Sequence, residues 1–347
     1  MKYEDVLKSL TYDDLTIKRP KVLLLGNGPF RNCGISWNEL LKETARKDTT
    51  KYERSSEESK ECVCCGITNC VYLKQHPGYD ISNSILATAT CIECDEKRHQ
   101  EYVNKLENCY EECDDYSREL VGSILKLPID AIMTTNYTYE IEDCIKSDYS
   151  SLSHSTKLKY AFSLGKVKKD KSEYKDYKYL LSTFNKFSDD TPQIWHIHGE
   201  MRRPSSLILN HDEYGRLVHK IIEYNKFRHR NYGKYENFQI RSWFDFFIVA
   251  DIYILGLGFD AAEFDLWWLL SRRKREPENN VGRIVYYTPD IDSKTSLALQ
   301  DLGVETKNLG CKFIYKKPCE INEAYKEFYK TAVSDILTDI SKDNLSV

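Results

Sequence analysis

The most constraining feature of this chain is a set of short apolar runs that do not alternate with polar residues. Lys21–Leu25 reads KVLLL and stops abruptly at Gly26. A strand wetted on one side alternates in character; a strand covered on both faces does not, as in the parallel sheets of α/β proteins. Similar runs recur at 131–134 (AIMT), 194–198 (IWHIH), 207–209 (LIL), 252–255 (IYIL), 283–287 (RIVYY) and 312–315 (KFIY). Helical spacing fills many of the gaps, at 36–46, 100–125, 213–225 and 320–341, and Val6, Leu7, Leu10 and Leu15 mark an amphipathic leading helix over 1–18. Strands alternating with helices predict an open, mostly parallel α/β sheet with helices on both faces.

At 347 residues the chain is about twice a typical single-domain length. We read one domain over 1–347 that carries two insertions. Residues 45–99 are charged and then cysteine-rich; residues 145–190 are rich in Lys, Asp, Ser and Tyr and read as a solvated excursion. Fifty basic residues nearly balance 54 acidic ones, for a net charge of −4, so charge gives no support to direct nucleic-acid binding. The basic, aromatic stretch 226–241 reads as a solvated helix face in preference to a nucleic-acid patch. No apolar run reaches the roughly 18 residues of a membrane span. The first twenty residues carry acids throughout and lack an apolar signal core, so a cytoplasmic protein is expected.

Four segments, each following an apolar run, hold the candidate chemistry. The first is a glycine turn, Gly26-Asn27-Gly28-Pro29-Phe30, continuing to Gly34, Ile35 and Trp37 before a helix. A strand, a glycine turn and a helix start form a natural phosphate cradle in a Rossmann-like fold, though this spacing is not the G-x-G-x-x-G fingerprint. The second is Thr134-Thr135-Asn136-Tyr137, the third His196-Ile197-His198-Gly199, and the fourth Gly256-Leu257-Gly258-Phe259-Asp260. Asn136 offers one donor and one acceptor for a water or a hydroxyl; equally, an asparagine there can cap the next helix. His196 and His198 lie on one side of a strand, where an imidazole can serve as base, as half of a metal pair or as a packed core residue. Asp260 can contact a ligand or cap the next helix. The stripe from Phe264 to Leu270 reads as core or oligomer interface.

Taken in order, these four segments resemble the motifs of the sirtuin-like superfamily, particularly a divergent prokaryotic branch that includes NAD-cleaving antiphage proteins. The resemblance spans roughly residues 20–270. It implies Asn136 and His198 as catalytic residues, with His196 packed beside them. It implies contacts to NAD from Gly26, Asn27, Gly28, Phe30, Gly34, Trp37, Thr135, Gly256, Gly258, Phe259 and Asp260. Two departures stand out. Thr138 stands where sirtuins carry an acid, and residues 200–255 lack the four-cysteine zinc module of sirtuin deacylases.

The cysteines lie elsewhere. Six of the twelve fall between Cys62 and Cys94, including two C-x-x-C knuckles, Cys62/Cys65 and Cys91/Cys94, separated by 25 residues. Four thiolates on two tight turns suit tetrahedral zinc, and an insertion too small to bury a core would need the metal to fold. Cys64, Cys70, His76 and His99 are alternative ligands. The function implied is an NAD glycohydrolase that releases nicotinamide and ADP-ribose in antiphage defence. It would be restrained by self-assembly or by a partner defence protein until triggered. An NAD-dependent protein deacylase and a non-catalytic NAD or ADP-ribose sensor are the alternatives.

Overall fold

The computed structural model describes residues 19–30, 96–109, 113–148, 181, 184–185, 191–201, 203–232, 240, 242–259, 263–276, 281–289, 291, 293–310 and 318–345. Six parallel strands form one sheet: β1 (Lys21–Leu25), β2 (Ala131–Thr134), β3 (Gln193–His196), β4 (Asp251–Leu255), β5 (Ile284–Tyr287) and β6 (Glu305–Lys307), in the order β3-β2-β1-β4-β5-β6. This is the doubly wound order, whose winding reverses between β1 and β4; in open sheets of this kind ligands bind at the carboxyl ends beside that point.

The alternation missing from the sequence reappears as two apolar faces. Val22, Leu24, Met133, Trp195, Ile254 and Tyr286 join one core cluster; Leu23, Leu25, Ile132, Ile194, Leu255 and Tyr287 join the other. Helices α4 (His211–Tyr232), α5 (Trp243–Val249), α6 (Phe264–Arg273) and α7 (Lys294–Asp301) supply the first face. Helices α2 (Asp115–Ile124), α3 (Glu140–Asp148) and α8 (Pro318–Leu345) supply the second. Helix α5 is buried at every position and apolar except for Asp245, whose carboxylate closes the capping box with Ser242 and accepts from the Tyr224 hydroxyl. The remaining helix, α1 (Glu96–Cys109), places Tyr102, Val103 and Leu106 against Tyr137, Tyr139, Met201, Leu207 and Leu209.

The structure departs from the sequence reading in several places. Residues 207–209 are buried but form no strand; they run beside the β3 turn, with Ile208 N–H donating to the His198 carbonyl. The helical stretch 100–125 is two helices, because Asp114 caps α2 by accepting from Ser117 N–H. Strand β6 reads Glu-Thr-Lys, an edge strand whose polar residues carry no strand signature. Three described residues late in the 145–190 stretch lie against the sheet. Leu181 and Phe184 lie in the core, and Asn185 pairs with Ile194 at the sheet edge. The stripe on α6 is core: Leu266, Leu269 and Leu270 are buried, with Phe264, Trp267 and Trp268 packed on them.

The leading helix, the 36–46 helix, the 312–315 run and most of the 45–99 and 145–190 insertions lie outside the described residues. Among the described residues, no helix is long and apolar enough to cross a membrane.

Candidate active site

The loops after β1 and β4 are laced together at the carboxyl edge of the sheet. Gly26 N–H donates to the Leu255 carbonyl and Gly28 N–H to the Gly256 carbonyl, both at 2.9 Å, while Phe30 N–H turns back to Asn27. Close approach is what the glycines serve. Gly256 has φ +73°, and a Cβ on Gly28 would lie 2.8 Å from the Gly256 Cα. The amides of Gly26, Gly28 and Phe30 are therefore spent on protein carbonyls and not held ready for an anion. The rings of Phe30 and Phe259, expected at the cofactor, are core side chains. Phe259 is wedged between Trp267 and Tyr286, with ring centroids 5.7 and 5.3 Å away. Gly258 is exposed with open space around it. Gly34, Trp37 and Asp260, like Cys62, Cys65, Cys91 and Cys94, lie outside the described residues.

The loops after β2 and β3 form the second half of the site. Backbone bonds from Ile197 N–H to the Thr134 carbonyl and from Met201 N–H to the Tyr137 carbonyl tie them together, and Thr135 N–H reaches back to the Leu25 carbonyl. Asn136 is buried, and its N–H donates to Thr134 Oγ1 at 3.1 Å. It does not cap the next helix: α3 begins at Glu140, which puts the cap position at Tyr139.

His196 and His198 have different surroundings. His198 lies in the turn beyond β3, 2% exposed, with Nε2 2.9 Å from Asp265 Oδ2 on α6 and its ring edge-on to Tyr214. Burial alone would lower its pKa; the charge and hydrogen bond of Asp265, helped by Glu263, outweigh burial and hold it above the ordinary histidine value. The bond to Asp265 occupies Nε2, and Nδ1 takes no partner among the described residues. Asp265 Oδ1 is buried and also unpartnered among them.

His196 is held at both nitrogens, by the Asn136 carbonyl at 2.8 Å and Glu142 Oε1 at 2.9 Å. Burial again opposes its charge, but Glu142, then Glu200 and the Asn136 carbonyl, raise its pKa to about 9. Glu142 is correspondingly lowered by His196 against the effect of its own burial. Further acids crowd this side. Glu200 accepts from the Tyr139 hydroxyl and pairs with Arg203, and burial raises Glu140, which accepts from Thr138. Thr138, at the position where sirtuins carry an acid, thus has the buried Glu140 carboxylate as its hydrogen-bond partner. Among the described residues, no group of three or more His, Cys, Asp or Glu is arranged to hold a metal ion.

A family model for the SIR2-like domain matches residues 130–306, which span β2 to β6 and include Asn136, His198 and Asp265. The chain belongs to the SIR2-like family. SIR2-like domains are as a rule NAD-dependent enzymes that take NAD as substrate. No curated protein matches the chain at a significant level. The glycine turn after β1 and helix α8 flank the matched stretch of this SIR2-like chain.

Sequence reasoning missed Asp265, Glu142, Glu200 and Asn185. Asp265 did leave a signal, as a lone acid in the apolar stripe Phe264–Leu270 that becomes 0% exposed. Glu142 left none, because acids in a first helical turn are ordinary complements to the helix dipole.

Proposed function

We propose that this SIR2-like protein is an NAD glycohydrolase, cleaving NAD to nicotinamide and ADP-ribose, and that it acts in antiphage defence by depleting NAD. The observation that carries the reading is the convergence of Asn136 and His198 on two laced loops at the carboxyl ends of adjacent strands, with His198 backed by a buried aspartate.

Nicotinamide leaves NAD as a neutral base, so the reaction needs little acid catalysis. It needs a held substrate, stabilisation of an oxocarbenium-like ribose and a placed water. The Asn136 carboxamide holds that water or a ribose hydroxyl. Asp265 accepts the Nε2 proton of His198, which fixes the tautomer and leaves the Nδ1 lone pair to accept a proton from a ribose hydroxyl or water. The same logic places an aspartate behind the histidine of a catalytic triad. NAD contacts from the Gly26–Gly28 turn, by approach of its surface and not through the Gly26 and Gly28 amides, and from Thr135 and the Gly256–Gly258 loop complete the proposed site, together with Gly34, Trp37 and Asp260. Zinc on Cys62, Cys65, Cys91 and Cys94 would be structural. Self-assembly or a partner protein would restrain the enzyme.

The deacylase reading shares Asn136 and His198 but lacks support downstream, where residues 200–255 hold helices α4 and α5 and no cysteine. The test is nicotinamide release from NAD by purified protein, with and without an acyl-lysine peptide. Asn136→Ala should abolish release. His198→Gln is preferred to His198→Ala, since glutamine keeps a donor for the buried Asp265 carboxylate. A folded Asn136→Ala variant that consumed NAD at the parental rate would refute the assignment, and turnover only with peptide would favour the deacylase.

A further inference from the structure

We infer that His196 and Glu142 form a buried charged clamp that fixes the Asn136 loop, which makes His196 a positioning residue for the reaction. The inference rests on the NAD-cleaving reading for its catalytic consequence; its structural content stands on hydrogen bonds alone.

The charge state follows from the hydrogen-bond partners and from which group is the stronger base. A carbonyl oxygen only accepts, so His196 Nδ1 carries a proton toward Asn136. Its Nε2 faces Glu142 Oε1, an oxygen that already accepts from Asn185 Nδ2 at 3.0 Å. Two donors converging on one oxygen suit a carboxylate, and the proton on the His196–Glu142 line belongs to the imidazole, the stronger base, which makes the ring an imidazolium with both nitrogens donating. The other oxygen of Glu142 is buried without a partner among the described residues, so His196 and Asn185 carry the compensation of that charge.

The clamp joins four places in the chain. Glu142 sits in the first turn of α3, His196 ends β3, Asn136 follows β2, and Asn185 pairs with Ile194 along the sheet edge. The charged groups facing the imidazolium are Glu142 and Glu140 from α3 and Glu200 from the turn after β3. Glu200 is itself engaged by Arg203 and the Tyr139 hydroxyl. Tyr139 also packs its ring edge against the imidazole at 5.3 Å.

A charge-assisted bond is roughly twice as strong as a neutral one. Set on the Asn136 carbonyl, it fixes the peptide plane and therefore the direction of the Asn136 side chain. The same residue type serves two ends. His198 must lose its proton to act as a base, whereas His196 must keep its proton to hold Asn136. The rate should gain from deprotonation of His198 and lose from deprotonation of His196.

Glu142→Gln tests this without removing bulk, because a glutamine amide can donate to a neutral Nε2. The parent and Glu142→Gln are compared by hydrogen exchange, by imidazole nitrogen NMR and by NAD turnover. Amide protection at Ile197 and Met201, whose N–H groups bind the Asn136 loop, should fall in the variant relative to α8. The parent His196 should show both nitrogens protonated at pH 7, and the variant one. The variant kcat should drop about 10- to 100-fold with KM little changed, and its alkaline limb should move to lower pH. Unchanged loop protection, or a neutral parent His196, would overturn the clamp whether or not the protein cleaves NAD. A variant with the parental kcat and alkaline limb would overturn its catalytic role. A parent with no turnover would refute the NAD reading, leaving exchange and NMR to judge the clamp.

Discussion

Gly199, the glycine of the His-Gly step, ties function to backbone packing. Its φ is +92°, and a Cβ there would lie 2.2 Å from the Ser206 carbonyl oxygen and 2.8 Å from Leu207 N. These are main-chain atoms, which cannot swing aside as a side-chain tip can. Gly199→Ala holds an L residue in left-handed space, at about 1–2 kcal/mol. It also drives the 206–208 segment away from the turn, stretching the bond from Ile208 N–H to the His198 carbonyl, now 2.9 Å. Loss of a buried bond of this kind costs about 1–3 kcal/mol, so the total is about 2–5 kcal/mol. Gly215, in α4 with nothing within 4 Å of its added Cβ, is the matched control. There the same methyl should stabilise by about 0.5–1 kcal/mol. Urea unfolding of both variants gives the two values. A Gly199→Ala protein with the parental midpoint, or a Gly215→Ala protein destabilised as much as Gly199→Ala, would refute the reasoning.

Three other outcomes follow from the site and the sequence. Asp265→Asn should cost about 10²- to 10⁴-fold in kcat, because an amide no longer fixes the His198 tautomer. The acid limb of the residual activity should move to lower pH, and an unmoved limb would argue against the pairing. The Glu142–His196 pair should make stability depend on pH. His196 rises from 6.5 to about 9 on folding, worth about 3 kcal/mol, so its contribution is complete below about pH 6.5 and lost as pH climbs through 9. Glu142 is lowered, so its share of the same interaction is present above its ordinary 4.5 and lost as pH falls through the folded value. Urea midpoints from pH 6 to 9.5 should therefore decline more steeply for the parent than for Glu142→Gln, and parallel declines would contradict the pairing. Freshly purified protein should carry one zinc per chain; less than half an equivalent would remove the zinc assignment to the four cysteines.

The sheet was legible because a strand buried on both faces has to be apolar throughout, and β1, β2 and β4 follow the runs read from the sequence residue for residue or nearly so. Strand β6 was not legible. An edge strand is held by its backbone ladder, and Glu305-Thr306-Lys307 need bury nothing. The 207–209 run was misassigned for the converse reason, since Leu207 and Leu209 are buried against α1 and Ile208 in the core on the first face, without joining a ladder.

The candidate site divides in the same way. The local sequence set Asn136 and His198 just beyond strand ends, because an apolar strand that stops must turn, and a turn admits polar residues even where it is buried. It could not say what stands behind them. Asp265 lies 67 positions from His198, and Glu142 lies 54 from His196. Which imidazole faces an aspartate and which is clamped at both nitrogens depends on how α3 and α6 cross the sheet. The sequence by itself determined a buried parallel sheet and the residue types at its carboxyl edge, through the demand that apolar surface be covered. Only the tertiary structure decided their charge states and hydrogen-bond partners. Those depend on distances between groups far apart in the chain, inside an interior where an uncompensated charge is too costly to keep.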